Sequence, residues 1–206
     1  MPPTLVDVSV GLLLGAALLG AAFDRRSILV VAGAAAIPDL DVLLGPVGGT
    51  NAVFHSLWLV VAGAGVLYWD TERRDRSWLR QRHGWWGVRV AWVALAAMAV
   101  AGIGLDVAGE HGVNLLYPVH DQYYTIADGR LSYSTQDGVT QSYVEIGGDR
   151  LFSLTALGTT AEHHVPTWVD PGEDGDRTIY LVRSAWQAIV VLAAGAVLAI
   201  RFGGDD

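Results

Sequence analysis

The sequence predicts an all-α membrane bundle of about five transmembrane helices, with a small extracytoplasmic β-meander inserted before the last helix. Mean hydropathy is +0.37 and 52% of the residues are hydrophobic, yet the formal net charge is −8. These values are compatible only if apolar and acidic residues are segregated along the chain. The acids do cluster between Glu110 and Asp176, while Ala, Val, Leu and Gly fill the first half and the C-terminus.

Three regions follow from this segregation. Residues 1–107 are expected to form a four-helix transmembrane region, residues 108–180 an acidic β-rich insertion, and residues 181–206 the fifth helix with a cytoplasmic tail. Pro3 to Phe23 is long enough to cross the ~30 Å hydrocarbon core as the first helix. A secretory signal peptide is the alternative, but Arg25 and Arg26 follow the apolar run instead of preceding it.

The other predicted helices show the same apolar composition. Pro38 is expected to kink or end the second, because proline removes a backbone donor. Trp85 and Trp86 precede the fourth as an aromatic anchor. The predicted runs are Ser27 to Leu44, Ala52 to Trp69, Gly87 to Val107 and Leu181 to Phe202.

Arginine distribution predicts the orientation in the cell (plasma) membrane. The connections after the first and third helices carry most of the arginines, so both are expected on the cytoplasmic side. The N-terminus and the acidic insertion then face outwards, and the C-terminus is cytoplasmic. The basic residues are all Arg, with no Lys, a bias typical of a salt-adapted protein of halophilic, archaeal type, although GC-rich coding produces it too.

Alternating residues and turn signals predict four strands in the insertion. The segments are Tyr123 to Ile126, Leu131 to Thr135, Thr140 to Ile146 and Leu151 to Thr155, separated by 127–130, 136–139 and 147–150. The chain has no Cys, which excludes disulfides and thiolate metal sites. No basic stripe exists to neutralise phosphates, so nucleic acid is excluded as an expected partner.

Candidate metal ligands converge on one predicted membrane face. Asp7 begins the first helix, Asp39 and Asp41 end the second, His55 begins the third and Asp106 ends the fourth. An ionised Asp within the bilayer costs roughly 2.5–3.5 kcal/mol unless it is compensated, and a bound cation compensates it. Asp and His suit zinc best, with manganese, iron or magnesium as alternatives. His120 is a further candidate ligand, and Glu110 and His111 are candidate catalytic residues.

These residues carry a resemblance to a known family. Ile37-Pro38-Asp39-Leu40-Asp41, Phe54-His55-Ser56-Leu57, and Leu105-Asp106 leading into 112–118 are similar to the motifs of the YdjM-like membrane-bound predicted metal-dependent hydrolases. That family is itself thought to be distantly similar to the zinc-dependent phospholipase C and single-strand nuclease superfamily. The resemblance covers roughly residues 5–124 and implies that Asp39, Asp41, His55 and Asp106 are ligands.

Three positions depart from the family pattern. The histidine expected in the first helix is Asp7, an arginine expected before His55 is Asn51, and the histidine of the HxxxD element is Gly102, which has no ligand atom. Either another residue supplies the missing ligand, or the full metal complement is not bound. The candidates for the missing ligand are Glu110, His111, His120, Asp121 and the His163-His164 pair.

The expected function is an integral membrane metal-dependent hydrolase with an outward-facing site, acting on a phosphoester or ester of a lipid or lipid-linked substrate. The alternative is a catalytically silent membrane scaffold that docks a protein partner or another copy through its β-insertion. Membrane lipids are expected partners in both. Simpler interpretations stay open for single residues. Aspartates such as Asp39 and Asp41 are common in turns, and a buried histidine such as His55 is also found hydrogen-bonded without binding a metal ion.

Overall fold

The computed structural model describes residues 3–44, 50–109, 111–126, 131–134, 138–141, 154–163, 165–170 and 179–203. It is mostly helical, with a small β region inserted before the last helix. The helices are α1 (Thr4–Leu18), α2 (Arg25–Ala36), α3 (Leu57–Tyr68), α4 (Trp78–Ala97) and α5 (Ala185–Gly203), and the strands are β1 (Tyr123–Ile126), β2 (Leu131–Ser134), β3 (Gly138–Gln141) and β4 (Leu154–Gly158).

Helices α1, α2 and α4 pack together through small side chains. A Cβ atom built on Gly11 of α1 would lie 2.6 Å from the Cβ of Ala35 on α2, so only glycine permits this approach. Ala97 and Ala101, on α4 and its continuation, are fully buried in the same cluster. Helix α5 packs on α1, where the Arg201 guanidinium donates to the Ala16 carbonyl at 2.8 Å.

Helix boundaries follow local chemistry. Helix α2 ends before Pro38 as predicted, and a 3₁₀ segment, Pro38–Leu43, follows it. Helix α4 begins at Trp78, nine residues before the predicted start at Gly87, because the Ser77 side chain accepts from the Arg80 amide and caps the helix. Much of the arginine-rich segment is therefore helical, with a kink at Gly84, whose φ is 68°.

Helix α4 continues past Ala97 without a break. A π-helical segment, Met98–Gly104, and a last α-turn, Leu105–Val107, complete a helix of 30 residues from Trp78 to Val107. In the described part of the chain, this helix and α5 are long and apolar enough to cross a membrane. Five transmembrane helices are not supported, because α1, α2 and α3 contain 15, 12 and 12 residues, and ~20 apolar residues span the hydrocarbon core.

The strands pair differently from a meander. Strand β1 pairs antiparallel with β4, and β2 pairs with β3. The other edge of β1 is occupied, because Tyr124 exchanges two backbone hydrogen bonds with Val113, both 2.9 Å. A strand has two edges, so β2 is left to pair with β3. The predicted turns at 127–130 and 147–150, and most of the predicted strand at 140–146, lie outside the described residues.

The helical part has two chemically different ends. Asp7, near the start of α1, lies at the same end as His55, which precedes α3, and Asp106, near the end of α4. The arginines that follow α1 and α3 lie at the other end, where Arg89 of α4 donates to the Leu18 carbonyl at 2.8 Å. The candidate ligands Asp7, His55 and Asp106 are therefore separated from the arginine-bearing connections.

Candidate metal centre

Three chain segments bring two carboxylates and an imidazole together. Asp39 lies in the 3₁₀ segment after α2, His55 lies just before α3, and Asp106 lies in the last turn of α4. One ligand atom from each lies within 4.8 Å of the others, and all three residues are buried. This Asp-His-Asp group could hold a metal ion.

The His55 imidazole is held from both sides. Its Nδ1 lies 2.9 Å from Asp41 Oδ2, and its Nε2 lies 2.7 Å from Asp106 Oδ2. Asp41 also accepts from the backbone amides of Ala52 and Phe54, at 3.0 and 2.8 Å. Asp41 thus contacts the Nδ1 edge of the imidazole, while Asp106 contacts the Nε2 edge. The contacts of Asp41 fix both the orientation of the ring and the backbone that precedes His55.

Hydrogen bonding controls the protonation of His55. Burial alone would lower the pKa of the imidazole, but the hydrogen bonds to Asp106 and Asp41 outweigh burial and raise the pKa to about 9. A ring with a carboxylate at each nitrogen is protonated when no metal ion competes for Nε2. A metal ion at Nε2 would take the place of that proton, while Asp41 would continue to accept from Nδ1, as is usual for metal-bound histidines.

Several buried carboxylate oxygens have no hydrogen bond of good geometry to a donor. They are both oxygens of Asp7, both oxygens of Asp39, and Oδ1 of Asp106, although Asp7 and Asp39 interact with each other and Asp39 interacts with Thr4. Asp7 is fully buried, and its carboxylate lies close enough to Asp39 and Asp106 for electrostatic repulsion. Buried carboxylates without donors are costly, because the charge loses its hydration. A divalent cation would neutralise this repulsion and bind the free oxygens.

The donor set fits a hard or borderline ion. Two carboxylates and one imidazole suit zinc. The predicted ligand Asp7 is not part of this group, although its carboxyl lies near Asp39 and Asp106. A tetrahedral zinc ion with bonds of ~2.0–2.1 Å spaces its ligand atoms ~3.3 Å apart. The ligand atoms lie within 4.8 Å of one another, but His55 Nε2 and Asp106 Oδ2 are only 2.7 Å apart, so these two atoms would have to move apart to admit such an ion.

The loop that carries His55 is anchored to the segment after α4. Asn51, in the left-handed region at φ 58°, donates from Nδ2 to the Gly112 carbonyl at 3.1 Å. Ser56 Oγ donates to the Tyr117 carbonyl at 2.8 Å, and the buried Tyr123 hydroxyl donates to the Thr50 carbonyl at 2.7 Å. The sequence analysis assigns no role to Ser56. The Phe54-His55-Ser56 motif could have indicated one, because this serine also caps α3.

Gly102 is a packing residue. A Cβ atom built there would lie 2.6 Å from the Ala35 carbonyl oxygen and 2.7 Å from Pro38 Cγ. No larger side chain fits at this position, so it offers no ligand and no space for one. The close approach of α4 to Pro38 also brings Asp106, one turn later, towards Asp39.

Other candidate residues lie apart from this group. His120 is exposed, with Nε2 2.8 Å from the Tyr124 hydroxyl, and the described Asp-His-Asp group does not include it. The backbone carbonyl of His111 accepts from His163 Nε2 at 2.9 Å. Asp121 accepts from Asn114 and from Thr160. Glu110 and His164 lie outside the described residues.

No family model, curated protein or solved structure matches the chain. The similarity to the YdjM-like hydrolases therefore stays an expectation based on the motifs. The class that the fold and the site define is a mostly helical protein with two helices of membrane-spanning length and a buried Asp-His-Asp group able to hold a metal ion.

Proposed function

We propose that this chain is an integral membrane metal-dependent hydrolase that acts on a phosphoester or ester of a lipid or lipid-linked substrate. The observation that carries the proposal is the buried group of Asp39, His55 and Asp106, whose ligand atoms lie within 4.8 Å of one another. The apolar helices and the separation of the arginines from this site support a membrane location with the site towards the outer face.

The chain's own residues have distinct roles in this proposal. Asp39, Asp106 and His55 Nε2 bind the ion, and Asp7 supplies a fourth ligand from α1. Asp41 holds His55 in the tautomer that presents Nε2, through the 2.9 Å contact at Nδ1. A bound divalent ion polarises a phosphoryl or carbonyl oxygen and lowers the pKa of water at the site towards ~7. Glu110 and His111 remain the proposed catalytic residues, although His111 lies apart from the Asp-His-Asp group and Glu110 lies outside the described residues.

Membrane location would determine the substrate class. The site lies at one end of the helical part, beside the segment that leads into the β region. An ester bond in a lipid headgroup reaches such a position by lateral diffusion in the bilayer. The proposal therefore favours lipid or lipid-linked esters over freely soluble ones.

Metal analysis with two variants tests this function. Purified wild-type chain is expected to contain about one divalent ion, and Asp39→Asn and His55→Ala are expected to lose it together with hydrolysis of a fluorogenic phosphodiester lipid. Asp121→Asn is the matched control, because that carboxylate also accepts several hydrogen bonds but lies apart from the group. Metal-free wild-type protein, or full activity in both site variants, would exclude the proposal.

A second function is favoured by one specific observation. Asp41, His55 and Asp106 are at most 1% exposed, and Asp39 is 6% exposed, whereas catalytic metal sites keep a position open to substrate. A closed ion would act as a structural clamp in a catalytically silent scaffold that docks partners through the β region. This alternative predicts a tightly bound ion, a lower Tm after its removal, and no turnover of phosphodiester or carboxylic ester lipids.

A further inference from the structure

The end of the molecule opposite the metal centre has a concentrated positive charge. The arginine hairpin, residues 68–86, comprises the end of α3, the connection to α4 and the first nine residues of α4. It contains five arginines against three carboxylates, whereas the whole chain has a net charge of −8. Arg73, Arg74, Arg76 and Arg82 are exposed, and Arg80 is half-buried. The concentration of positive charge is therefore accessible.

The hairpin is held in one arrangement by Asp70. This largely buried carboxylate accepts from Ser77 Oγ at 2.7 Å, from the amides of Trp78 and Leu79 at 3.0 and 3.1 Å, and from Arg74 Nη1 at 3.0 Å. These contacts fix the backbone at this junction and the side chain of Arg74, which reduces the entropy cost of binding a group to this surface.

Tryptophan rings lie beneath two of the guanidinium groups. Arg74 lies 5.0 Å from the centre of the Trp69 ring, and Arg80 lies 4.6 Å from that of Trp85. Trp69 and Trp85 are 58% and 64% exposed, and Trp86 is 51% exposed. Exposed tryptophan next to a long apolar helix is typical of the headgroup level of a membrane, where the ring has an apolar body and a polar edge.

Three arginines of the hairpin have no internal counter-charge. Arg74 pairs with Asp70 and Arg80 with Glu72. Arg73, Arg76 and Arg82 form no ion pair within the described part of the chain, although Arg73 lies over the Tyr68 ring. Their charges are free to interact with an external anion.

We propose that the arginine hairpin binds the phosphates of anionic phospholipid headgroups in the adjacent leaflet, through Arg73, Arg76 and Arg82, with the tryptophan rings inserted between headgroups. The assignment rests on the membrane location within the proposed function and is independent of the metal chemistry. Anionic lipid fits better than an acidic soluble partner, because the exposed Trp85 and Trp86 lie in the first part of a 30-residue helix that is long and apolar enough to cross a bilayer.

Lipid binding to the full chain in detergent tests this assignment. Native mass spectrometry would count bound phosphatidylglycerol and phosphatidylcholine during titration of each lipid. Wild-type protein is expected to prefer phosphatidylglycerol, and high salt is expected to reduce that preference. Each arginine near an anionic surface contributes about fivefold in affinity, so the combined variant Arg73→Gln/Arg76→Gln/Arg82→Gln is expected to lose on the order of 100-fold.

Arg183→Gln is the matched control, because Arg183 also lies over an aromatic ring, that of Tyr180, but precedes α5 outside the hairpin. It is expected to keep the wild-type preference. An equal preference in the triple variant, an equal loss in Arg183→Gln, or no preference in wild type would each overturn the assignment. Metal content separates the two proposals: the triple variant is expected to keep its ion, whereas failure of the metal proposal would appear as metal-free wild-type protein.

Discussion

Gly102 determines how many ligands α4 can offer. The family pattern places a histidine four residues before Asp106, but the backbone of α2 and the Pro38 ring occupy the space that its side chain would need. Close helix packing thus excludes a histidine ligand at this position. Asp7 of α1 is the remaining candidate carboxylate at this end of the helices. It is fully buried, and neither of its oxygens has a hydrogen bond of good geometry to a donor.

Substitution of Gly102 is expected to destabilise the fold. In Gly102→Ala the new methyl group would meet the Ala35 carbonyl oxygen at 2.6 Å, and neither this oxygen nor the Pro38 ring can rotate away. Overpacking of this kind costs about 1–3 kcal/mol, so thermal unfolding should show a lower Tm. Gly33→Ala on α2 is the control, since nothing lies within 4 Å of its built Cβ, and it should be neutral or slightly stabilising. Equal Tm values for the two variants would contradict this packing role.

Asp41 illustrates the difference between a ligand and a positioning residue. The motif resemblance implies that it is a ligand, whereas the structure places its carboxylate on His55 Nδ1 and on two backbone amides. Asp41→Asn would keep the shape of the side chain but remove the charge that supports the imidazole. We expect metal affinity to fall 10–100-fold with the ion still bound at saturation, measured by competition with a chelating dye. Complete loss of the ion at saturation would instead make Asp41 a direct ligand, and Asp121→Asn should leave the affinity unchanged.

At the scale of elements, the junction between α3 and α4 depends on one carboxylate. Asp70 caps the start of α4 through the amides of Trp78 and Leu79 and pairs with Arg74. The hydrogen bond from Ser77, with those from the two amides and the charge of Arg74, lowers the pKa of Asp70 to about 2. Because Asp70 holds the first amides of α4, the helix begins within the arginine-rich segment, at Trp78.

The stability contributed by Asp70 should depend on pH. Since the folded-state pKa lies below the ordinary value of 3.8, the contribution is fully present above about pH 4 and is lost as the pH falls towards 2. Asp70→Asn should unfold more easily at neutral pH and should lose this part of the acid dependence, measured by thermal unfolding from pH 6 to 2. Glu72→Gln removes only an exposed pair with Arg80 and should change little. An unchanged acid profile in Asp70→Asn would contradict the assignment.

At the scale of the whole molecule, charge divides the helical part into two ends. Four carboxylates and one imidazole gather at one end, and the arginines that follow α1 and α3 gather at the other. In the proposed orientation, the metal centre and the β region face outwards while the arginine hairpin meets the opposite leaflet. This separation keeps the arginine guanidinium groups away from the four carboxylates of the metal centre. A metal ion would therefore supply the positive charge that balances these carboxylates.

Metal binding should therefore stabilise the entire fold. The proposed ligands come from α1, the segment after α2, the residues before α3 and the end of α4, so removal of the ion should loosen all four segments together. Chelation is expected to lower the Tm, and added metal at 100 times its Kd should restore about 2.7 kcal/mol. Asp39→Asn is expected to show a lower Tm that no longer responds to chelator or metal. A Tm of the wild type that is insensitive to chelation would argue against a bound ion.

The sequence by itself determined the helix-forming runs, the break at Pro38, the insertion before the last helix and the convergence of Asp39, His55 and Asp106, because apolar length, proline and the order of helices are local properties. Tertiary structure decided the rest. Strand β1 pairs with β4 on one edge and with Val113 on the other, and both pairings join segments that are separated in the chain. The position of Asp41 at His55 Nδ1 and the crowding at Gly102 depend on how segments far apart in the chain approach one another, which no local pattern encodes.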